Sequence, residues 1–181
     1  MKNAKTSQTD VRVIMTADRR RGVVAWLLLA APDKNRAHAE WEKDGAAVFQ
    51  CGLLFTAVRT PGTIVRAAAG TSDPTEVDAF LVKSLDRGGV FTDAGLNRYY
   101  ALVPGGAVYD WHAPGTECLP PGMGLGVPAV ESARYKPGVQ YWASPMDSPG
   151  DLCDERKVAD LVLAGWGRLM QQEPSDRGEQ S

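Results

Sequence analysis

The chain has 181 residues, 44% hydrophobic and 23% charged, with a formal net charge of −2. That is one soluble globular domain with tails, large enough to bury a core without disulfides or a structural metal. Nineteen Gly and twelve Pro predict many turns and short strands, and the composition excludes a coiled coil, a collagen and a disulfide miniprotein.

Charge is unevenly spread. Residues 1–21 carry six basic side chains, among them Arg19, Arg20 and Arg21, against Asp10 and Asp18. Residues 151–181 carry seven acids against four bases. Two solvated ends account for this, and so does a basic front that steers a polyanion. Cys51, Cys118 and Cys153 are odd in number and widely spaced, which argues against a disulfide framework and a zinc ribbon. Reduced thiols point to the cytoplasm. The longest apolar run, Val23 to Ala31, is far short of the ~20 residues that span a membrane. It has no clean cleavage site behind it, so it is read as a buried helix and not as a signal peptide.

In chain order, residues 1–15 are expected to be a flexible tail and 16–171 the domain. Asp18 is expected to cap a helix over about 19–31 that stops at Pro32 and Asp33. A second helix fits "NRAHAEWEKDG", ending at Gly45. The run 46–62, "AAVFQCGLLFTAVRTPG", has no charge before Arg59 and reads as the centre of a sheet, split or bent at Gly52. Residues 63–69 resume as a short helix. Asp73 or Ser72, Pro74 and Glu76 start the next helix, with Val77, Phe80, Leu81 and Leu85 at helical spacing and Gly88 closing it. Strands follow at "VFTD" and "NRYYALV", with "AVYDW" as a hairpin partner after the "PGG" turn. "APGTECLPPGMG" is a loop, and "LGVPAV" and "VQYWASP" are strands. Ser148 or Asp151 caps a last helix over 151–171, and 172–181 form a free tail. The order of elements gives an α+β fold, with a central mixed or antiparallel sheet flanked by helices.

Three stretches carry a family resemblance: Trp41 with "AAVFQCGLLFTAVRTPG", then "FTDAGLNRYYALV", then "CLPPGMGLGVPAVE" with "YWASP". Over residues 41–147 their order and spacing resemble the primase–polymerase (prim-pol) domains of mobile elements, especially the small prim-pol-like proteins of actinobacteria. The resemblance implies a prim-pol-like fold and association with DNA replication. In that family an alternating strand of the form GLVVVDVDTPG holds two aspartates. Two positions apart on a strand, both side chains leave one face and can clamp two metal ions. Here the aligned positions are Ala57 and Arg59 or, one residue back, Thr56 and Val58. Neither register supplies carboxylates, so no metal or cofactor and no polymerase activity are expected. The family's Ser-Gly-Gly-x-His turn corresponds to Ala94–Arg98, with Arg98 where the phosphate-touching His would stand. An Arg there still suits phosphate.

Around these positions, Arg59, Arg134, Lys136 and the aromatic-rich strands suggest base stacking and phosphate contact. Tyr99 and Tyr100 point to opposite faces, so only one of them can stack on a ligand, and Tyr99 is taken as that residue. Asp110 and His112 in "YDWHAPG" form a candidate pocket for an unrelated enzyme, while His38 is read as solvent-facing. "PPGMGLG" and "VPGGA" lack the context of a nucleotide loop and read as turns. The expected function is therefore a catalytically degenerate prim-pol-like protein that binds single-stranded nucleic acid or a nucleotide. The alternative is an interaction protein that keeps the fold and binds a protein partner or itself. A third reading is a small enzyme built around Asp110 and His112.

Overall fold

The computed structural model describes residues 8–172. Helix α1 (Gln8–Leu27) is followed by a 3-10 turn, Leu28–Ala30. Asp18 lies inside α1 and pairs with Arg21 at 3.4 Å, so it is not a cap. The helix already runs through residues 8–15, where a tail was expected, and residues 1–7 lie outside the described ones. Asp33 accepts the backbone N–H groups of Asn35 and Arg36 and starts α2 (Lys34–Asp44), which Gly45 ends in the left-handed conformation. These are the two standard solutions for orphaned helix-end groups.

Of the two readings of the run 46–62, split or bent at Gly52, the split one holds: it makes two strands. Strand β1 (Ala46–Gln50) and strand β2 (Thr56–Pro61) are separated at Gly52, whose φ is +115°. A Cβ there would meet Pro121 at 2.7 Å, so both conformation and space require glycine. Helix α3 (Gly62–Ala69) and helix α4 (Pro74–Ser84), capped by Asp73 onto the Glu76 N–H, come next. Gly88 does not close α4, because Asp86 and Arg87 take the positive φ angles beyond it. Gly88 lies against Cys153, where a Cβ would be 2.6 Å from Sγ. Strands β3 (Val90–Thr92) and β4 (Arg98–Val103) form a hairpin. "AVYDW" is not a strand: Gly105–Tyr109 is a 3-10 turn led by Pro104, whose fixed φ and missing N–H suit a turn and not a ladder. Strands β5 (Glu117–Cys118), β6 (Gly124–Pro128) and β7 (Tyr141–Ser144) precede helix α5 (Glu155–Gln172). Asp154 caps α5 by accepting from Arg156 and Lys157. Residues 173–181, most of the expected C-terminal tail, lie outside the described ones.

The fold is α+β and every ladder is antiparallel. The five-stranded sheet runs β5-β2-β4-β3-β7, and β1 pairs only with β6 in a separate ribbon. The centre of the sheet is thus β4, and neither strand of the run 46–62 is the central one. Alternation on the strands defines two faces. Val58, Tyr99, Ala101, Val103 and Tyr141 pack under Val65, Val77, Leu81, Val158 and Leu161 of α3, α4 and α5. Ala57, Leu102, Phe91 and Trp142 pack under α1, α2 and the ribbon through Leu27, Ala37, Phe49 and Val127. The indole N–H groups of Trp41 and Trp142 donate to the carbonyls of Val127 and Pro128 and fasten the ribbon to the body.

Candidate functional site at an uncovered corner of the sheet

The ribbon covers only part of its face of the sheet. In the β2–β4 register, Arg59 lies opposite Tyr100 and Pro61 opposite Arg98, so these four side chains share one face. Ala57 and Leu102, further along the same strands, are buried under the ribbon. Arg98 is exposed and Arg59, Pro61 and Tyr100 are half-buried. β5 pairs with β2 only at Val58 and Arg59. Beyond that point the edge of β2 is open, and it ends at Pro61, which has no N–H to leave unpaired.

A groove of about 670 Å³ occupies this corner, lined by Arg59, Pro61, Asp93, Asn97, Arg98 and residues 115–117. The β3–β4 turn that carries Arg98 is braced. Asp93 accepts the Asn97 N–H at 2.8 Å. Gly62 donates its N–H to the Asn97 carbonyl at 2.7 Å, and the Arg66 guanidinium donates to the Leu96 carbonyl at 2.9 Å. A Cβ on Gly62 would stand 2.2 Å from the Leu96 oxygen, so this close approach depends on glycine. Arg59 forms an ion pair with Glu117. The Arg98 carbonyl accepts from the Thr92 hydroxyl and the Asp93 N–H, while its guanidinium has no hydrogen-bond or ionic partner among the described residues. The groove's two arginines are balanced by Asp93 and Glu117, so its field does not attract a long polyanion. Its one free guanidinium suits a single anionic group held bidentately.

The other expected site residues are placed elsewhere. Tyr99 is only 2% exposed and points to the helical face, so it has no free ring to stack on a ligand. Tyr100 is the half-exposed one, its ring stacked on Phe91 at 4.9 Å. Arg134 and Lys136 are exposed in the 129–140 loop and do not line the groove. Arg19, Arg20 and Arg21 are exposed on α1. Asp110 and His112 are both exposed, with no hydrogen bond between them, so this pair makes no enclosed pocket. His38 is exposed, as expected.

The metal clamp of primase–polymerases does not fit these residues. At the aligned positions the Thr56 hydroxyl is buried and donates to the Leu119 carbonyl, Ala57 and Val58 are buried, and Arg59 is cationic. Among the described residues no group of three or more His, Cys, Asp or Glu could hold a metal ion. No described helix is long and apolar enough to cross a membrane.

Glu117 escaped the sequence reading because two-residue β5 lies in a segment punctuated by Pro and Gly. Asp78 escaped it too, although an acid beside Val77 and Leu81 on one helix face is a visible signal. The Tyr141 hydroxyl donates to Asp78 at 3.0 Å. Burial raises the Asp78 carboxyl from 3.8 to about 6, against the lowering effect of the Tyr141 bond. Burial also pushes Tyr99 up to about 12, with Asp78 adding to the shift, and Tyr141 is pushed up by burial and by Asp78. A carboxyl with a raised folded pKa binds its proton more tightly in the folded state. Its contribution to stability therefore falls as pH rises from about 4 through 6, and stays lower above. Asp78→Asn keeps an acceptor for Tyr141 and removes the charge. It is expected to raise stability at pH 8 by ~1 kcal/mol, allowing for partial exposure, and to flatten the profile between pH 4 and 6. Urea midpoints at pH 4, 6 and 8 check this, and an unchanged profile would mean that Asp78 ionises freely.

No protein-family model matches this chain, and no curated protein or solved structure shows significant similarity to it. The fold and the groove define it as an antiparallel α+β protein with an open, charge-balanced polar groove at a sheet corner.

Proposed function

We propose that the protein is a catalytically degenerate primase/polymerase-like protein that binds a nucleotide, or the phosphate-bearing end of a single strand, in the Arg59–Arg98 groove without polymerising it. The observation that carries this reading is Arg98, an unpartnered guanidinium on a braced turn in a groove of about 670 Å³. That volume is in the range of small-ligand sites. The balanced charge of the groove favours a mononucleotide over a tracked strand. A cytoplasmic location, where such ligands are plentiful, belongs to the same reading.

The test is titration of a fluorescent deoxynucleotide into wild type and Arg98→Ala. A charge-assisted hydrogen bond contributes roughly 1.5–3 kcal/mol, so the variant is expected to bind at least about tenfold more weakly. Primer synthesis on a single-stranded template with Mg²⁺ or Mn²⁺ is expected to be absent. Equal binding by the variant, or no binding by wild type, would remove the reading.

A second reading, an interaction protein that binds a partner or itself, is favoured by one specific feature. Leu53 is 88% and Tyr109 77% exposed. They stand on loops that touch, because a Cβ on Gly105 would be 2.3 Å from the Gly52 carbonyl oxygen. A concentration-dependent dimer lost in Leu53→Asp would support this alternative.

A further inference from the structure

We infer that the face of α1 turned towards α2 is a docking groove for an acidic amphipathic helix of a partner protein. Ala17, Arg20, Arg21, Val24, Ala25 and Leu28 recur at spacings of three and four along α1 and into the turn that follows it. That spacing makes one continuous stripe about 16 Å long, or three helical turns. It forms one side of a groove of about 460 Å³ whose other wall includes His38 of α2 and Glu131. This groove is separate from the one that holds Arg98.

The chemistry of the stripe selects its occupant. The floor is alkyl: Val24 is half-buried, Ala25 exposed and Leu28 buried. The small residues at 17 and 25 let a second helix backbone approach. Apolar anchors three and four apart on a partner helix would lie along such a floor. The rim is cationic. Arg20 has no ionic partner among the described residues, and Arg21 makes only the 3.4 Å contact to Asp18, with side chains 81% and 62% exposed. Glu131 is the one acid in the lining. The positive rim complements a helix with Glu or Asp flanking its apolar stripe. A second copy of α1 is a poor occupant, because it would bring Arg19, Arg20 and Arg21 against their own equivalents. A nucleic-acid strand is also disfavoured. It needs flat rings to stack on, and the only ring here is His38, which meets Trp41 edge-on at 6.0 Å.

The test titrates the full chain into a fluorescein-labelled helical peptide of about four turns, with Leu at three- and four-residue spacing and Glu on both flanks. The same peptide with Lys for Glu, a short oligothymidylate and vesicles of phosphatidylcholine with phosphatidylserine serve as comparisons. The acidic peptide is expected to bind at least about tenfold more tightly than the Lys peptide. Arg20→Glu/Arg21→Glu and, separately, Ala25→Glu are each expected to weaken it by at least about tenfold. All these positions are exposed, and unchanged circular dichroism and thermal midpoints verify that the variants fold. Absence of binding, equal binding of both peptides, insensitivity to Ala25→Glu, or preferential uptake of the oligonucleotide or vesicles at these arginines would each overturn the proposal.

Discussion

Replacing Phe91 by alanine is expected to lower the folding free energy by about 3–5 kcal/mol, the range for a fully buried aromatic truncated to a methyl. Phe91 has 0% exposure. One side of its ring stacks on Tyr100, and Trp142 approaches it edge-on at 5.4 Å. Strands β3, β4 and β7 fix these three rings, so they cannot close over the void without breaking ladder pairs. Tyr100 lies opposite Arg59, so the truncation also removes the support beneath the groove. Urea unfolding should show a lower midpoint with little change in slope. Phe91→Leu, which leaves a smaller void, should lose less than half as much. A loss below about 1 kcal/mol for the alanine variant would mean that the aromatic stack is not rigid.

Gly165→Val should be of similar severity by the opposite mechanism. A Cβ at Gly165 would stand 2.2 Å from the backbone oxygen of Ile64. The obstacle is main chain, not a movable side-chain tip, so α3 and α5 would have to part. Overpacking of this kind costs roughly 1–3 kcal/mol, and a β-branched residue at a backbone contact belongs at the top of that range. Gly167 is an internal control. It lies two residues further along the same helix, and a Cβ there would meet nothing within 4 Å, so Gly167→Ala should raise stability by up to about 1 kcal/mol through helix propensity. Paired melts of the two variants check both signs. Equal behaviour would show that α3 and α5 are not in close contact.

Local signals in the sequence located most elements. Asp73, Pro74 and Glu76 marked the start of α4, and Gly52 marked the break between β1 and β2, because caps and left-handed turns act within a few residues. Strand partners were another matter. β1 is the more apolar of the two strands, yet it is β1 that leaves the sheet to pair with β6, so that Ala46 meets Pro128. Nothing near residue 46 encodes a partner so distant in the chain. The phase of β4 was hidden for the same reason. Alternation separates Tyr99 from Tyr100, but only the helices packed on one face decide which of them is covered. The site was legible in part. Arg59 and Arg98 come together, whereas Arg134, Lys136 and the α1 arginines do not join them. Glu117, which offsets Arg59, was concealed in a strand too short to have a pattern.

The three cysteines have a bearing on where the protein can exist. All are free and buried. Burial pushes the thiols up, Cys118 to about 11 and Cys153 to about 12, and raises Cys51 as well. Oxidants and disulfides react with the thiolate, and at neutral pH these side chains have almost none. Burial in the fold therefore protects them from oxidation. A count of unpaired cysteines is a guide to redox compartment only when the sulfurs can be reached, and here the packed interior removes that link. The folded chain is expected to keep its three thiols in an oxidising medium as in a reducing one, which thiol titration after exposure to oxidised glutathione checks.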